Sequence, residues 1–234
     1  MNKLLFFLLI LYTTFCNAQK YDNIWPMGYA YDTTINPCNF YLDFTHDSME
    51  IHPFCLGANF IEVGNSAISD TAGNLLFYSN GTKIIDSSHN LMLNGGNLNN
   101  NSDPFVEYQG YPAELLILPS PINSSKYHIF HIERGTGGVL SGYALHLNYS
   151  QIDMNLNNGL GAVTTKNRPI LNDTLGGWGS LLEAAKHANG TDWWVLIPEW
   201  RSNAYYRFLL TEDTILGPYR QEVGPAFHWI DYNG

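Results

Sequence analysis

Asp70-Thr71-Ala72-Gly73-Asn74-Leu75-Leu76-Phe77-Tyr78-Ser79-Asn80-Gly81 reads as a turn, a short apolar strand and a second turn. Asp and Asn side chains hold their own backbone in turns, and Gly and Asn tolerate positive φ. Asn-Gly is the strongest short hairpin signal. An apolar or aromatic run of only four residues, Leu75 to Tyr78, is too short for a helix and suits a strand.

The pattern returns further along the chain. Leu115-Leu116-Ile117-Leu118 leads through Pro119 to Ser125 into Tyr127-His128-Ile129-Phe130-His131. A third copy runs Leu182 to Lys186, turns at Asn189-Gly190-Thr191-Asp192 and rises again as Trp193-Trp194-Val195-Leu196-Ile197. Further strands are expected in each unit: Lys83 to Met92, then Gly142 to Asn148 with Ala162 to Leu171, then Ala204 to Leu210 with Tyr219 to Val223. Units start near Ala67, Ala113 and Leu181, at spacings of about 46 and 68 residues. These bracket the period of propeller blades if the longer one carries insertions. Helical periodicity is nearly absent; the best helical candidate, Ser180 to His187, is short and lies between Gly179 and Gly190.

The fold expected is all-β, a partial, open β-propeller of about three four-stranded blades plus a leading strand. A blade cannot bury both faces alone, so its strands are apolar on both sides, as Trp193 to Ile197 are. Two facing layers would show a cleaner alternation. The Asn- and Gly-rich runs Asn94 to Asn101 and Gly135 to Gly138 are expected as surface loops.

Residues 1–18 read as a secretory signal, with Lys3, the apolar run Leu4 to Tyr12 and the small-residue site Cys16-Asn17-Ala18. The run is too short to span a bilayer, and no later stretch is long and apolar enough, so no membrane insertion is expected after cleavage. Residues 19–62 are assigned to a leading strand and closure segment, and 63–234 to the blades. Losing Lys3 leaves 10 basic against 21 acidic side chains, a balance that argues against nucleic acid as a partner. Cys38 and Cys55 form an even pair in an exported chain, most simply a disulfide. Closing that loop stabilises by about 3 kcal/mol when its geometry is relaxed.

Several motifs taken in order carry a family resemblance. Ser66 to Gly81, Met92 to Gly95 and Lys186-His187-Ala188-Asn189-Gly190, with Asn23-Ile24-Trp25, Leu42-Asp43-Phe44 and Gly159 to Lys166, resemble an exported propeller region. It stands at the N-terminus of large surface proteins that carry gliding-motility-associated or type IX secretion sorting domains. The resemblance implies a secreted or outer-surface location, a role in adhesion, and further blades and a sorting domain beyond Gly234. On that view the chain is a fragment. Asp-Thr and Asp-Ser triplets such as Asp70-Thr71-Ala72 and Asp173-Thr174-Leu175 are similar to O-glycosylation acceptors in bacteria using this route, and turn chemistry explains them equally.

Residues that carry chemistry are scattered. His128 and His131 lie three apart, which on a strand puts them on opposite faces, so they do not chelate one metal together. No metal or cofactor is expected. Glycosidases need two carboxylates, about 5–5.5 Å apart for retention and wider for inversion. Glu114, Glu133, Glu183 and Glu199 sit at or near strand ends, where a propeller channel gathers them. Gly177-Trp178-Gly179-Ser180 has no strand–helix unit around it to make a nucleophile elbow. Gly135 to Gly138 lacks the Lys-Ser/Thr of a phosphate loop. Dense aromatics either fill blade interfaces or stack on sugars and protein partners. The candidate ligand contacts are Glu183, His187, Trp178, Trp200 and Tyr111. The leading expectation is a non-catalytic exported module binding protein or glycan. The alternatives are a carbohydrate-active hydrolase with channel carboxylates and a truncated fragment without function.

Overall fold

Four antiparallel meanders follow one another along the chain. The computed structural model describes residues 20–28, 39–46, 48–54, 64–100, 114–135, 144–176, 182–212 and 214–225. Cys38, Cys55, Tyr111 and Trp178 lie outside the described residues. The first sheet joins β1 (Ile24–Met27), β2 (Asn39–Asp43) and β3 (Glu50–Phe54), and the second joins β4 (Ser66–Ser69), β5 (Leu75–Ser79) and β6 (Ile84–Asp86). The third joins β7 (Leu115–Pro119), β8 (Lys126–Arg134), β9 (Ala144–Asp153) and β10 (Ala162–Gly176). The fourth joins β11 (Glu183–Lys186), β12 (Trp193–Pro198), β13 (Ala204–Leu210) and β14 (Ile215–Glu222). Every sheet pairs its strands in sequence order, and no α-helix occurs among the described residues.

Turn chemistry sets these hairpins. Asp70 Oδ1 accepts the backbone N–H of Ala72 and Asn74, and Gly73 takes φ 97°. The same arrangement recurs at Asp86, whose Oδ1 accepts from Ser88 and Asn90. There His89 occupies the glycine position at φ 63°. Its ring stacks on Phe54 of the first sheet with centroids 4.4 Å apart, and its Nδ1 lies 3.2 Å from the Tyr78 hydroxyl. Those contacts offset a backbone conformation that non-glycine residues rarely adopt.

The third sheet is buried on both faces. Phe130, Ile132, Leu147 and Tyr149 join Val195, Ile197, Phe208 and Leu210 of the fourth sheet in one apolar cluster. Tyr127, Ile129, Ile152 and Val163 join Ile68, Phe77 and Ile84 of the second sheet in another. A smaller cluster of Phe54, Tyr78 and Ile85, with Tyr41 against it, seals the first sheet to the second. Successive sheets therefore cover one another in series, and β1 lies beside β4 and β4 beside β7.

Three features differ from expectation. The leading segment is a three-stranded sheet; Pro53 is accommodated because β3 is an edge strand, where a missing N–H costs no ladder bond. The second unit has three strands, because the Asp86 turn reverses the chain and leaves only an isolated bridge from Ile85 to Leu91. The helical candidate near Ser180 contains β11, held in register by Ala184 opposite Val195.

The Asn-rich run after Met92 leaves Asn94 and Asn97 exposed but is tied to the third sheet as far as Asn99. Val163 N–H donates to Leu93 O, Lys166 Nζ to Asn94 O and Gly96 O, and Asn167 Nδ2 to Asn97 O. Asn99 Nδ2 donates to Ile132 O at 2.9 Å and Gly81 O at 3.3 Å. Asn99 Oδ1 meets His131 Nδ1, while His131 Nε2 lies 2.9 Å from Ser150 Oγ, which accepts from Asn167 N–H. Burial pushes His131 down to about 3, so its ring is neutral. The network assigns the proton to Nδ1, leaving Nε2 to accept from Ser150.

Candidate functional site

A cleft of about 200 Å³ opens between the third and fourth sheets. Its walls include His128 from β8, Tyr149 and Gln151 from β9, and Thr165 and Arg168 from β10. The opposite side is the β13–β14 turn, with Thr211, Glu212 and Thr214. The register makes this possible, because Phe130 sits opposite Tyr149 and His128 opposite Gln151, so their side chains share the face turned to the fourth sheet.

His128 anchors the cleft. It is 3% exposed, and its Nδ1 lies 2.8 Å from the Tyr149 hydroxyl. Gln151 Oε1 accepts from Thr164 Oγ1 at 3.4 Å. Nε2 is the His128 ring nitrogen that takes no part in the bond to Tyr149. That atom is buried with no hydrogen-bond partner among the described residues. Burial first, then Lys126, pushes His128 down to about 4. Burial pushes Tyr149 up to about 12 against the opposing influence of Arg168 and Gln151. Both groups are neutral near pH 7, and neither titrates near the range that suits a general acid or base.

Arg168 lies across the Tyr149 ring, its Cζ 4.8 Å from the centroid. Among the described residues no hydrogen bond or ion pair reaches its guanidinium, so five N–H groups remain available at an exposed position. Thr211 and Thr214 close the turn on each other, Thr211 Oγ1 donating to Thr214 O at 3.1 Å.

Of the ligand contacts read from the sequence, Glu183 and His187 stand at opposite ends of β11. Glu183 begins β11 and is exposed, whereas His187 follows its last residue, about 13 Å away along an extended strand. His187 serves its turn: its N–H donates to Asp192 O and its Nδ1 accepts from Asn189 N–H. Trp200 sits in the β12–β13 turn with Arg201 5.5 Å from its ring centroid. Tyr111, Trp178 and the Cys38–Cys55 pairing lie outside the described residues.

Three of the four carboxylates named from the sequence are committed to protein partners. Glu114 is buried in a two-pronged pair with the Nε and Nη2 of Arg134. Glu133 Oε2 accepts from Asn148 Nδ2 at 2.7 Å. Glu199 binds Arg220 through both oxygens, at 3.0 and 2.8 Å, and these bonds hold it down at about 2. Asp173 and Glu199 also meet at one point, the Tyr206 hydroxyl, at 2.5 and 2.8 Å. That phenol fills the gap between the two carboxylates.

His128, Arg168 and Tyr149 as a set escape the sequence. They come from three strands, and only the register of β8, β9 and β10 assembles them. The one available signal was the position of His128 between Tyr127 and Ile129. Comparison with family models, with curated proteins and with solved structures gives no match to this chain.

Proposed function

We propose that the chain is a non-catalytic binding module of propeller type, exported to the cell surface and serving adhesion to glycan or protein. Sheets that cover one another in series, with β1, β4 and β7 side by side, are what radial blades around a hub require. The outward faces of the end sheets fit the same plan. Trp25 and Ile51 are 51% and 59% exposed on the first sheet, as neighbouring blades of a ring would need. The residues 1–18 pattern and the acidic balance support export and argue against nucleic acid.

The observation that carries the binding reading is the cleft beside His128. It offers hydrogen-bond donors in a fixed frame, and its His and Tyr are neutral at working pH. One observation favours a hydrolase instead, the approach of Asp173 and Glu199, since retaining glycosidases hold two carboxyl groups about 5 Å apart. The Tyr206 hydroxyl occupies the place a scissile oxygen needs, so that cluster is read as a surface brace.

A glycan and glycoprotein array probed with the chain, run beside a broad glycosidase panel, tests the reading. Binding without turnover is the expected result. Turnover abolished by Glu183→Gln or Glu199→Gln would replace the module with an enzyme.

A further inference from the structure

We propose that Asn158 is a site of spontaneous modification, where the chain deamidates through a cyclic imide and leaves aspartate and isoaspartate in the β9–β10 turn. This chemistry needs no partner beyond water and goes beyond the binding reading.

An asparagine followed by glycine is open to the reaction because glycine has no Cβ to hinder the approach of its nitrogen. The Gly159 main-chain nitrogen gives its proton to hydroxide and attacks Asn158 Cγ. A new N–Cγ bond closes a five-membered ring, and the Cγ–Nδ2 bond breaks, Nδ2 leaving as ammonia with a proton from water. Water then opens the ring. Addition at Cγ leaves aspartate. Addition at the main-chain carbonyl leaves isoaspartate, whose backbone runs through Cβ and Cγ and is longer by one methylene. One water enters, one ammonia leaves, and nothing is oxidised or reduced.

Four Asn–Gly steps fall among the described residues, and three of them are locked; Asn233–Gly234 lies outside the described residues. Asn80 Oδ1 accepts from Thr82 N–H, Thr82 Oγ1 and Lys83 N–H at 3.0, 3.0 and 2.9 Å. Asn189 Oδ1 accepts from Thr191 and Asp192 N–H at 3.1 Å, and its Nδ2 donates to Asp192 Oδ2 at 2.8 Å. Asn94 Nδ2 donates to Val163 O at 3.3 Å, and the Gly95 that follows is buried. Gly95 N–H donates to Met92 O at 2.8 Å, and Gly95 O accepts from Ile84 N–H at 2.9 Å. In each case these bonds open before the nitrogen meets Cγ.

Asn158 differs. It is exposed, and among the described residues its side-chain amide makes no hydrogen bond. Residues 155–159 are all exposed, so hydroxide and water reach the reacting atoms. One bond stands in the way, from Gly159 N–H to Leu156 O at 3.1 Å. Asn157 and Asn158 hold φ 52° and 56°, a left-handed conformation that costs any residue with a Cβ, so rearrangement of the turn relieves strain. The turn also matters to its surroundings. Leu156 O accepts from Gly161 N–H at 3.1 Å, and Val163 N–H, just beyond, ties the third sheet to Leu93 O. An extra methylene at position 158 breaks the spacing that closes this turn.

The test holds the full chain in mildly alkaline H₂¹⁸O buffer and maps its peptides by mass spectrometry at intervals. The ¹⁸O label marks only acids formed during the incubation, and circular dichroism at each interval reports the fold. A parallel sample is unfolded in guanidinium chloride. In the folded chain Asn158 is expected to convert about tenfold or more faster than Asn80, Asn94 and Asn189, the factor that one or two net hydrogen bonds supply. Unfolding brings the four to similar rates, and position 158 yields two products of equal mass that elute apart.

Conversion at any of the three locked asparagines as fast as at Asn158 in the folded chain would overturn the assignment. So would an Asn158 that stays intact in the folded chain while its unfolded counterpart converts. Aspartate without isoaspartate would overturn the cyclic-imide route.

Discussion

Lowering the pH from 7 to 5 should destabilise the fold well before its carboxylates titrate. Two histidines drive this. Burial holds His131 at about 3 and His128 at about 4, whereas both return to about 6.5 in the unfolded chain. A depressed pKa means that the unfolded state binds the proton first. The stability these groups contribute is complete above pH 6.5 and declines as the pH falls toward their folded values. At pH 5 each neutral ring costs about 2 kcal/mol relative to pH 7, or roughly 3–4 kcal/mol for the pair. His89, also lowered by burial, adds in the same direction. Asp43, Asp70 and Glu199 are depressed as well, but their window opens only below about pH 4.5 and so lies apart. For a chain of this length 3–4 kcal/mol lowers Tm by roughly 6–16 °C. Urea unfolding at half-unit pH steps measures it, with His128→Gln/His131→Gln as the control. That variant is less stable at pH 7 and loses most of the slope between 7 and 5. A flat profile in the parent chain, or an unchanged slope in the variant, would refute the burial of these two rings.

Other perturbations probe the interfaces. Asn99→Ala removes two donated bonds, leaves the buried His131 Nδ1–H without its acceptor and forces alanine to φ 66°. The expected loss is about 3–5 kcal/mol by urea unfolding, most of it retained in Asn99→Gly because the bonds outweigh the backbone strain. Arg134→Met strands the buried Glu114 carboxylate and should cost about 3–5 kcal/mol, whereas Glu114→Leu/Arg134→Met recovers much of it. Phe130→Ala, fully buried between the third and fourth sheets, should cost about 3–5 kcal/mol; Trp25→Ser, half exposed, should stay within about 0.5 kcal/mol in the same assay.

The strands of the second, third and fourth sheets were legible because their signals are local. Leu75 to Tyr78 and Trp193 to Ile197 lie between Asp, Asn and Gly turns whose side chains close the hairpins unaided. The first sheet was less legible. Asn39–Asp43 and Glu50–Phe54 mix polar residues and a proline into short strands, and pairing rather than composition makes them a sheet. Asn94 and Asn97 are exposed, as the polarity of the Asn94–Asn99 run implies, but its ties to the neighbouring sheet were not legible. Its amides are spent on carbonyls of the next sheet, a non-local fact. Of the candidate site the sequence showed only that His128 and His131 part to opposite faces. What each meets there depends on Asn99 in one direction and on Tyr149 and Arg168 in the other.

Methyl-labelled NOE spectroscopy tests most directly whether one sheet is sandwiched between two others. Ile129 and Ile132 lie on the same strand, three residues apart. The account predicts contacts from the Ile129 methyls into the Ile68 and Ile84 cluster of the second sheet, and from Ile132 into the Val195 and Ile197 cluster of the fourth. Contacts from only one of the two isoleucines, with the other facing water, would mean a two-layer fold and contradict serial stacking.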